Sequence, residues 1–497
     1  MSFPPRPTAL LCALAAAAAL LPTATATPAR ASTSLTFGPC PDSVPAPPAP
    51  DRVECGRLTV PLDWNDPADR RIEIAVSRVP ASGTPAERRG VLLVNPGGPG
   101  GSGLPYAVTK RAKLPASVRR SYDVIGFDPR GVGRSTPVDC GPMGGLFTAP
   151  GTDPVPTTPR AERTYLTSLR RMADDCAAGA GTDMLPYLST EQTAYDMDAI
   201  RAALGEPRTN FLGVSYGSYL GAAYAARFPH RVGRMVLDSV VGPWDWYDFD
   251  VVQSRAMLRA RDTFFAWTAA HAERFGLGDG TDAVRRSYLR VRHGLAARPV
   301  NGFGPAEFDR AVYRALGRTE RWSGLADGLH TYLTDGSPDG LRPASAFDSP
   351  QTRNYEAANR IVKCADGPGP TPREILADIH RTRHLDPQPI LTGMEASACA
   401  YWHHRPHHRT PLGSPAAPPV LLVASAHDPV TPIEGARQLR KVLPGSRLVV
   451  LDDDYSHGVF ASRGNACVDG AMAAYLVDGV VPGADVRCAG PGLPGTS

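Results

Sequence analysis

The stretch Asn210-Phe211-Leu212-Gly213-Val214-Ser215-Tyr216-Gly217-Ser218-Tyr219-Leu220 runs from a short apolar segment straight into a helical pattern, with a serine at the junction and a glycine two residues to either side. A strand that turns this sharply into a helix brings the flanking backbones together, and residues without a Cβ are the ones that fit there. Such a turn holds Ser215 in strained geometry above a sheet. Its hydroxyl is exposed at a helix N-terminus, where backbone N–H groups stabilise developing negative charge. As a bare pattern G-x-S-x-G recurs by chance; the strand-to-helix context is what gives it weight.

The rest of the chain supplies a sheet for this junction. Short apolar runs bounded by Gly, Pro and Asp occur at 91–95, 122–127, 209–214, 234–237, 420–424 and 447–451. Runs this short and this apolar suit buried strands of a parallel sheet. Helical patterns at 190–204 and 218–228 lie between them, the second ended by Pro229, and alternation of strand and helix means a doubly wound α/β sheet. Ahead of these, 57–79 alternates apolar and polar residues as an opening hairpin does. From 242 to 417 the strand signal vanishes, and helix-like stretches rich in Arg, Ala and aromatics take over at 252–275, 283–297, 305–316 and 352–363. The expected organisation is a core in two parts, 32–241 and 418–497, with a helical cap, 242–417, inserted between two late strands.

A serine nucleophile needs a base, and on such a sheet the partners follow in the order Ser, acid, His, each beyond a later strand. Asp428 follows the run at 420–424 in Ser-Ala-His-Asp-Pro-Val-Thr-Pro, and His457 follows 447–451 in Asp-Tyr-Ser-His-Gly. His457 is assigned as general base toward Ser215 and then general acid toward the leaving group, with Asp428 orienting its imidazole. Other nearby candidates are His427 for the base and Asp452, Asp453 or Asp454 for the acid. His427 adjoins Asp428 on one loop, a poor position from which to bridge to Ser215.

Val91-Leu-Leu-Val-Asn-Pro-Gly-Gly-Pro-Gly-Gly-Ser-Gly places a glycine-rich turn after a buried strand. Gly98 to Gly103 matches the G-x-G-x-x-G of dinucleotide sites, with Asp128 at the end of the next strand as the ribose partner. Against that reading, Pro99 removes one N–H from the supposed phosphate cradle, and a cofactor leaves Ser215, Asp428 and His457 unexplained. No cofactor is expected. For a serine nucleophile the same loop supplies an oxyanion hole, formed by the N–H of Gly98 and the N–H of Tyr216, each worth about 3 kcal/mol in comparable sites.

A formal charge of +4 over 497 residues, without a run of like charges, gives no compositional support for nucleic acid or anionic membrane binding. Residues 1–31 read as a signal peptide, with Arg6 in the n-region, an apolar stretch at 8–21 and Ala29-Arg30-Ala31 before Ser32. Secretion, with no membrane attachment after cleavage, is the expectation. Of the nine cysteines, Cys12 lies in this leader, and the eight others form an even set suited to four disulfides. Sequence neighbours close the shortest loops: Cys40 with Cys55, Cys140 with Cys176, Cys364 with Cys399 and Cys467 with Cys488.

Taken together, Asn-Pro-Gly-Gly-Pro-Gly-Gly-Ser-Gly (95–103), Gly-Phe-Asp-Pro-Arg-Gly-Val-Gly-Arg-Ser (126–135), Gly-Val-Ser-Tyr-Gly-Ser-Tyr-Leu-Gly (213–221) and His-Asp-Pro-Val-Thr-Pro (427–432) resemble the secreted tripeptidyl aminopeptidases of actinomycetes. These belong with the prolyl aminopeptidase group of α/β-hydrolases. The resemblance covers most of the chain from Cys40 to Cys488. It implies an α/β-hydrolase fold and a serine exopeptidase that releases tripeptides or dipeptides from a free N-terminus, with peptide as the partner. The family's nucleophile, acid and base fall on Ser215, Asp428 and His457. A carboxylesterase or lipase on the same scaffold is the alternative, since acyl transfer to serine is common to both. Recognition of a charged amine calls for a carboxylate in the cap, and analogy with the group points to Glu356 and Asp366. Residues 126–135 are expected to form a structural turn, and Thr431 to be a plain turn residue of the acid loop, with support of the triad through its hydroxyl as the lesser alternative. Trp402-His403-His404-Arg405-Pro406-His407-His408 reads as a solvated cap loop; no metal is expected.

Overall fold

A computed structural model describes residues 35–49, 51–68, 70–141, 153–345, 349–382, 385, 396–406 and 408–496. The leader expected at 1–31, with Cys12, lies outside these residues, as does His407 of the histidine-rich stretch.

Nine strands form one sheet in the order β1-β2-β4-β3-β5-β6-β7-β8-β9. Their spans are β1 Glu54–Pro61, β2 Arg71–Val79, β3 Gly90–Asn95, β4 Tyr122–Phe127, β5 Thr209–Val214, β6 Val232–Asp238, β7 Leu421–Ser425, β8 Arg447–Asp452 and β9 Val486–Ala489. β1 and β2 are the antiparallel opening hairpin, and β2 also runs antiparallel to β4; from β4 through to β9 all pairings are parallel. All six residues of β3 and all five of β7 are buried. Strands covered on both faces explain why these runs are continuously apolar and do not alternate. One face packs against helices through Phe211, Leu237 and Leu422, the other through Leu92, Val236 and Val449.

The helices start where capping chemistry lets them. Ser189 accepts the N–H of Gln192 at the head of the helix Thr190–Ala203, and Thr158 accepts that of Ala161 at the head of the helix Pro159–Ala180. The second helix was not evident in the sequence pattern. Residues 126–135 form the expected structural turn: Arg130 makes a buried bidentate pair with Asp196 at 2.8 and 2.7 Å and donates to the carbonyls of Leu62 and of half-buried Tyr187. Paired and hydrogen-bonded on every side, this buried guanidinium fixes the turn.

Between β6 and β7 the regular elements among the described residues are helices, joined by loops, with one isolated bridge between Val300 and Phe303. Helices Trp246–Ala270, Thr281–Ala297, Pro305–Leu316 and Trp322–Asp335 share an apolar cluster of their own, including Phe264, Phe265, Tyr288, Phe308 and Trp322. The four disulfides join the neighbours proposed from spacing: Cys40–Cys55, Cys140–Cys176, Cys364–Cys399 and Cys467–Cys488. No described helix is long and apolar enough to cross a membrane.

Candidate active site

Ser215 follows β5 and precedes the helix Tyr216–Arg227, with φ 61° and ψ −127°. A non-glycine residue avoids that region unless its surroundings impose it. Here they do. A Cβ on Gly213 would lie 2.1 Å from the carbonyl oxygen of Gly217, one on Gly217 2.8 Å from that of Asn95, and one on Gly97 2.5 Å from that of Val214 and 2.8 Å from Cβ of Ser215. Glycine at 213, 217 and 97 is thus a packing requirement of the turn that presents the hydroxyl.

The glycine-rich loop after β3 packs directly against the elbow. Gly97, Gly98 and Gly100 have φ of 92°, 116° and 103°, open to glycine and strained for other residues. The Gly97 N–H is taken by Oδ1 of Asn95 at 2.9 Å. Asp128, whose oxygens are filled by Ser102, Gly103, Leu104 and Arg134, anchors the far end of the loop. That carboxylate is 1 % exposed, so it braces the loop and has nothing to offer a ribose. The helix Pro350–Ala365 lies over the loop: the Tyr355 ring is 3.1 Å from a Cβ built on Gly98, and Nδ2 of Asn359 donates to the carbonyl of Pro99 at 3.1 Å.

Asp428 and His457 come together from the loops after β7 and β8. Nδ1 of His457 lies 2.8 Å from Oδ2 of Asp428, whose side chain is fully buried while that of His457 is 16 % exposed. With Nδ1 donating to the carboxylate, Nε2 is the nitrogen left to accept a proton. Asp428 is itself held by the N–H groups of Val430 and Thr431 and by the Thr431 hydroxyl at 2.8 Å; that hydroxyl is also 3.2 Å from Nδ1 of His457. Thr431 therefore supports the acid. His427 instead stacks on Tyr455, with ring centroids 4.4 Å apart. The cap reaches both loops: the His457 N–H donates to the carbonyl of Gly317 at 3.0 Å, and Nε2 of Gln253 to that of Val430 at 2.5 Å.

The two cap carboxylates part company. Glu356 follows Tyr355 on the overlying helix, pairs with Arg360 at 3.3 Å, and lies in the field of Arg310 and Arg314. Asp366 is not brought to an open site. It is 2 % exposed, and its oxygens accept the N–H and hydroxyl of Thr190 at 2.7 and 2.6 Å and the indole N–H of Trp246 at 3.1 Å. The cavity it lines, about 10 Å³, has room for no more than a water. Burial pushes its carboxyl up to about 6. The Thr190 hydroxyl goes on to the Tyr216 hydroxyl at 2.8 Å, so Asp366 ends a buried polar chain behind the residue that follows the nucleophile. An aspartate just past the end of a cap helix gave no signal of which way it faces.

Among the described residues, no group of His, Cys, Asp and Glu is arranged to hold a metal, and His403 pairs with Asp174 at 2.8 Å.

The strand order, the serine elbow after β5 and the Asp–His pair after β7 and β8 define the architecture of an α/β-hydrolase. A model of the alpha/beta hydrolase fold matches residues 90–462, and the chain belongs to that family. Within it, the chain is 38 % identical over 458 residues to a tripeptidyl aminopeptidase of Streptomyces lividans, covering 88 % of this chain and 84 % of that one. It is 30 % identical to the serine protease Hip1 of Mycobacterium tuberculosis, covering 90 % of each, and 32 % identical to that organism's carboxylesterase B, covering 88 % and 86 %.

Proposed function

We propose that this chain is a secreted serine exopeptidase that releases tripeptides or dipeptides from free N-termini through an acyl-enzyme on Ser215. The observation that carries the reading is the 2.8 Å pairing of His457 with Asp428 on loops that follow the strands beyond the serine elbow. His457 takes the Ser215 proton at Nε2 as the hydroxyl attacks the scissile carbonyl, and returns it to the leaving amine. Water then repeats the sequence on the ester. The Gly98 and Tyr216 N–H groups receive the oxyanion. Peptidase relatives at 38 % and 30 % identity support peptide as substrate, and four disulfides suit an oxidising exterior.

For the free amine we assign Glu356, the carboxylate beside Tyr355 at the oxyanion loop, in preference to Asp366. Replacing Glu356 with Gln is expected to raise KM for free-amine peptides about tenfold while leaving ester hydrolysis unchanged; an equal loss on both substrates would defeat the assignment.

The relative named carboxylesterase B favours a second reading, ester hydrolysis by the same serine. Fluorophosphonate labelling of wild type and Ser215→Ala, followed by N-terminal peptide release, tests both. The variant is expected to lose the label and about 10⁶-fold in kcat. Persistent labelling would overturn the mechanism, and turnover of esters alone would overturn the peptidase.

A further inference from the structure

Behind the candidate base lies a second buried carboxylate that touches both ends of the machinery. Asp238 closes β6, and its main-chain carbonyl accepts the N–H of Ser215 at 2.9 Å. Its side chain is fully buried and accepts the N–H of Val459, at 3.1 Å to each oxygen, and that of Phe460 at 3.0 Å. Ser239 next to it accepts the N–H of Gly458 at 2.9 Å through Oγ. Three consecutive N–H groups immediately after His457 therefore end on one dipeptide. Ser239 sits at φ 53°, a conformation that costs a non-glycine residue about 1 kcal/mol or more and persists only where its surroundings demand it.

A cation faces the same turn. Buried Lys110 donates to the carbonyl of Phe460 and, at 3.2 Å, to the Ser462 hydroxyl. The turn at 458–462 thus has its N–H groups on an anion and a carbonyl on a cation. Burial raises the Asp238 carboxyl and pushes the Lys110 ammonium down to about 8, and each charge offsets part of the other's cost. Around them, His457 and Tyr106 interact electrostatically with Asp238, Lys113 and Asp469 with Lys110, and Arg318 with Tyr106.

We propose that Asp238 is a positioning residue for Ser215 and His457: it fixes the base's loop relative to the nucleophile and adds a second negative charge that favours the imidazolium formed during proton transfer. Asp428 orients the ring directly, whereas Asp238 acts through the backbone and at longer range. The inference rests on Ser215, Asp428 and His457 acting as proposed above.

The test compares wild type, Asp238→Asn, and Asp238→Asn/Lys110→Met, reading kcat, KM and the acid limb of kcat/KM on a peptide substrate. In Asp238→Asn, kcat is expected to fall about 10- to 100-fold with KM within about twofold. The acid limb should move to lower pH, since losing an anion disfavours the protonated histidine. The double variant removes both buried charges, regains thermal stability and keeps the fall in kcat at nearly constant KM, while its acid limb returns toward that of wild type because the lost cation offsets the lost anion. Should the single variant not fold, the double variant decides alone by its kcat and KM. Wild-type kcat, or in Asp238→Asn a loss of kcat with an unmoved acid limb, would reduce Asp238 to a structural residue. Failure of wild type to take the fluorophosphonate label would instead overturn the triad on which the inference stands.

Discussion

At the scale of single residues, the site depends on atoms that are absent and on one hydroxyl. A methyl group at Gly97 would press on the Val214 carbonyl and on Ser215 itself, at a φ of 92° that alanine resists. Gly97→Ala is therefore expected to displace the glycine-rich loop, proposed to supply the oxyanion hole, and lower kcat at least about 100-fold, with the fold retained by circular dichroism. Thr431 works the other way. Its hydroxyl fills one oxygen of the buried carboxylate that pairs with His457. Thr431→Val leaves the two main-chain donors but removes that bond. A hydrogen bond to a charged group is worth about 1.5 kcal/mol, which translates to a fall in kcat of about tenfold at nearly constant KM. A rise in KM with kcat intact would place Thr431 in substrate binding and not in support of Asp428.

At the scale of elements, the legible and the illegible differ in physical kind. β3, β5, β7 and β8 are buried on both faces, so their apolar runs stand out against Gly- and Pro-rich surroundings, and the residues just beyond them could be read as a site. β9 could not be read: Val486–Ala489 is an edge strand with one buried residue, held by pairing with β8 and by Cys467–Cys488. Asp238 was equally hidden, since an aspartate ending an apolar run reads as a simple terminator until the turn after His457 folds onto it. The burial of Asp366 was hidden as well, because a sequence reports that a carboxylate exists and not which way the chain at a helix end turns it. The helix Pro350–Ala365 matters for the same reason. It sets Tyr355 against Gly98 and Gly100 of the glycine-rich loop, with Glu356 next in the chain, and Cys364–Cys399 anchors its C-terminal end across 35 residues. Cys364→Ala/Cys399→Ala is expected to cost about 3 kcal/mol and lower the thermal midpoint by about 5 °C in calorimetry. Free-amine peptide hydrolysis should weaken further than ester hydrolysis as Glu356 loses its fixed position. An unchanged midpoint would mean that the helix is held by packing alone.

At the scale of the whole molecule, helical cap and sheet are joined through buried polar contacts at the site, and these make the joint sensitive to pH. Gly317 and Gln253 contact the loops that carry His457 and Asp428 from the cap side, and Asp366 ties Trp246 of the cap to Thr190 at the head of a helix that flanks the sheet. Its carboxyl is raised by burial from the usual 3.8 to about 6. Between those values the folded chain binds a proton that the unfolded chain has released, so this group's contribution to stability falls as pH rises through the window and is fully lost above it. A shift of that size corresponds to about 3 kcal/mol. Asp366→Asn cannot titrate, so the difference in unfolding free energy between wild type and variant should change by up to about 3 kcal/mol between pH 4 and pH 7, moving in the variant's favour as pH rises. Denaturant unfolding at a series of pH values measures it, and a difference independent of pH would show that Asp366 is no more strained by its charge than an amide is. Because the same carboxylate leads through Thr190 to Tyr216, kcat on peptide should respond to this substitution with KM unchanged, the opposite of what an amine-binding residue produces.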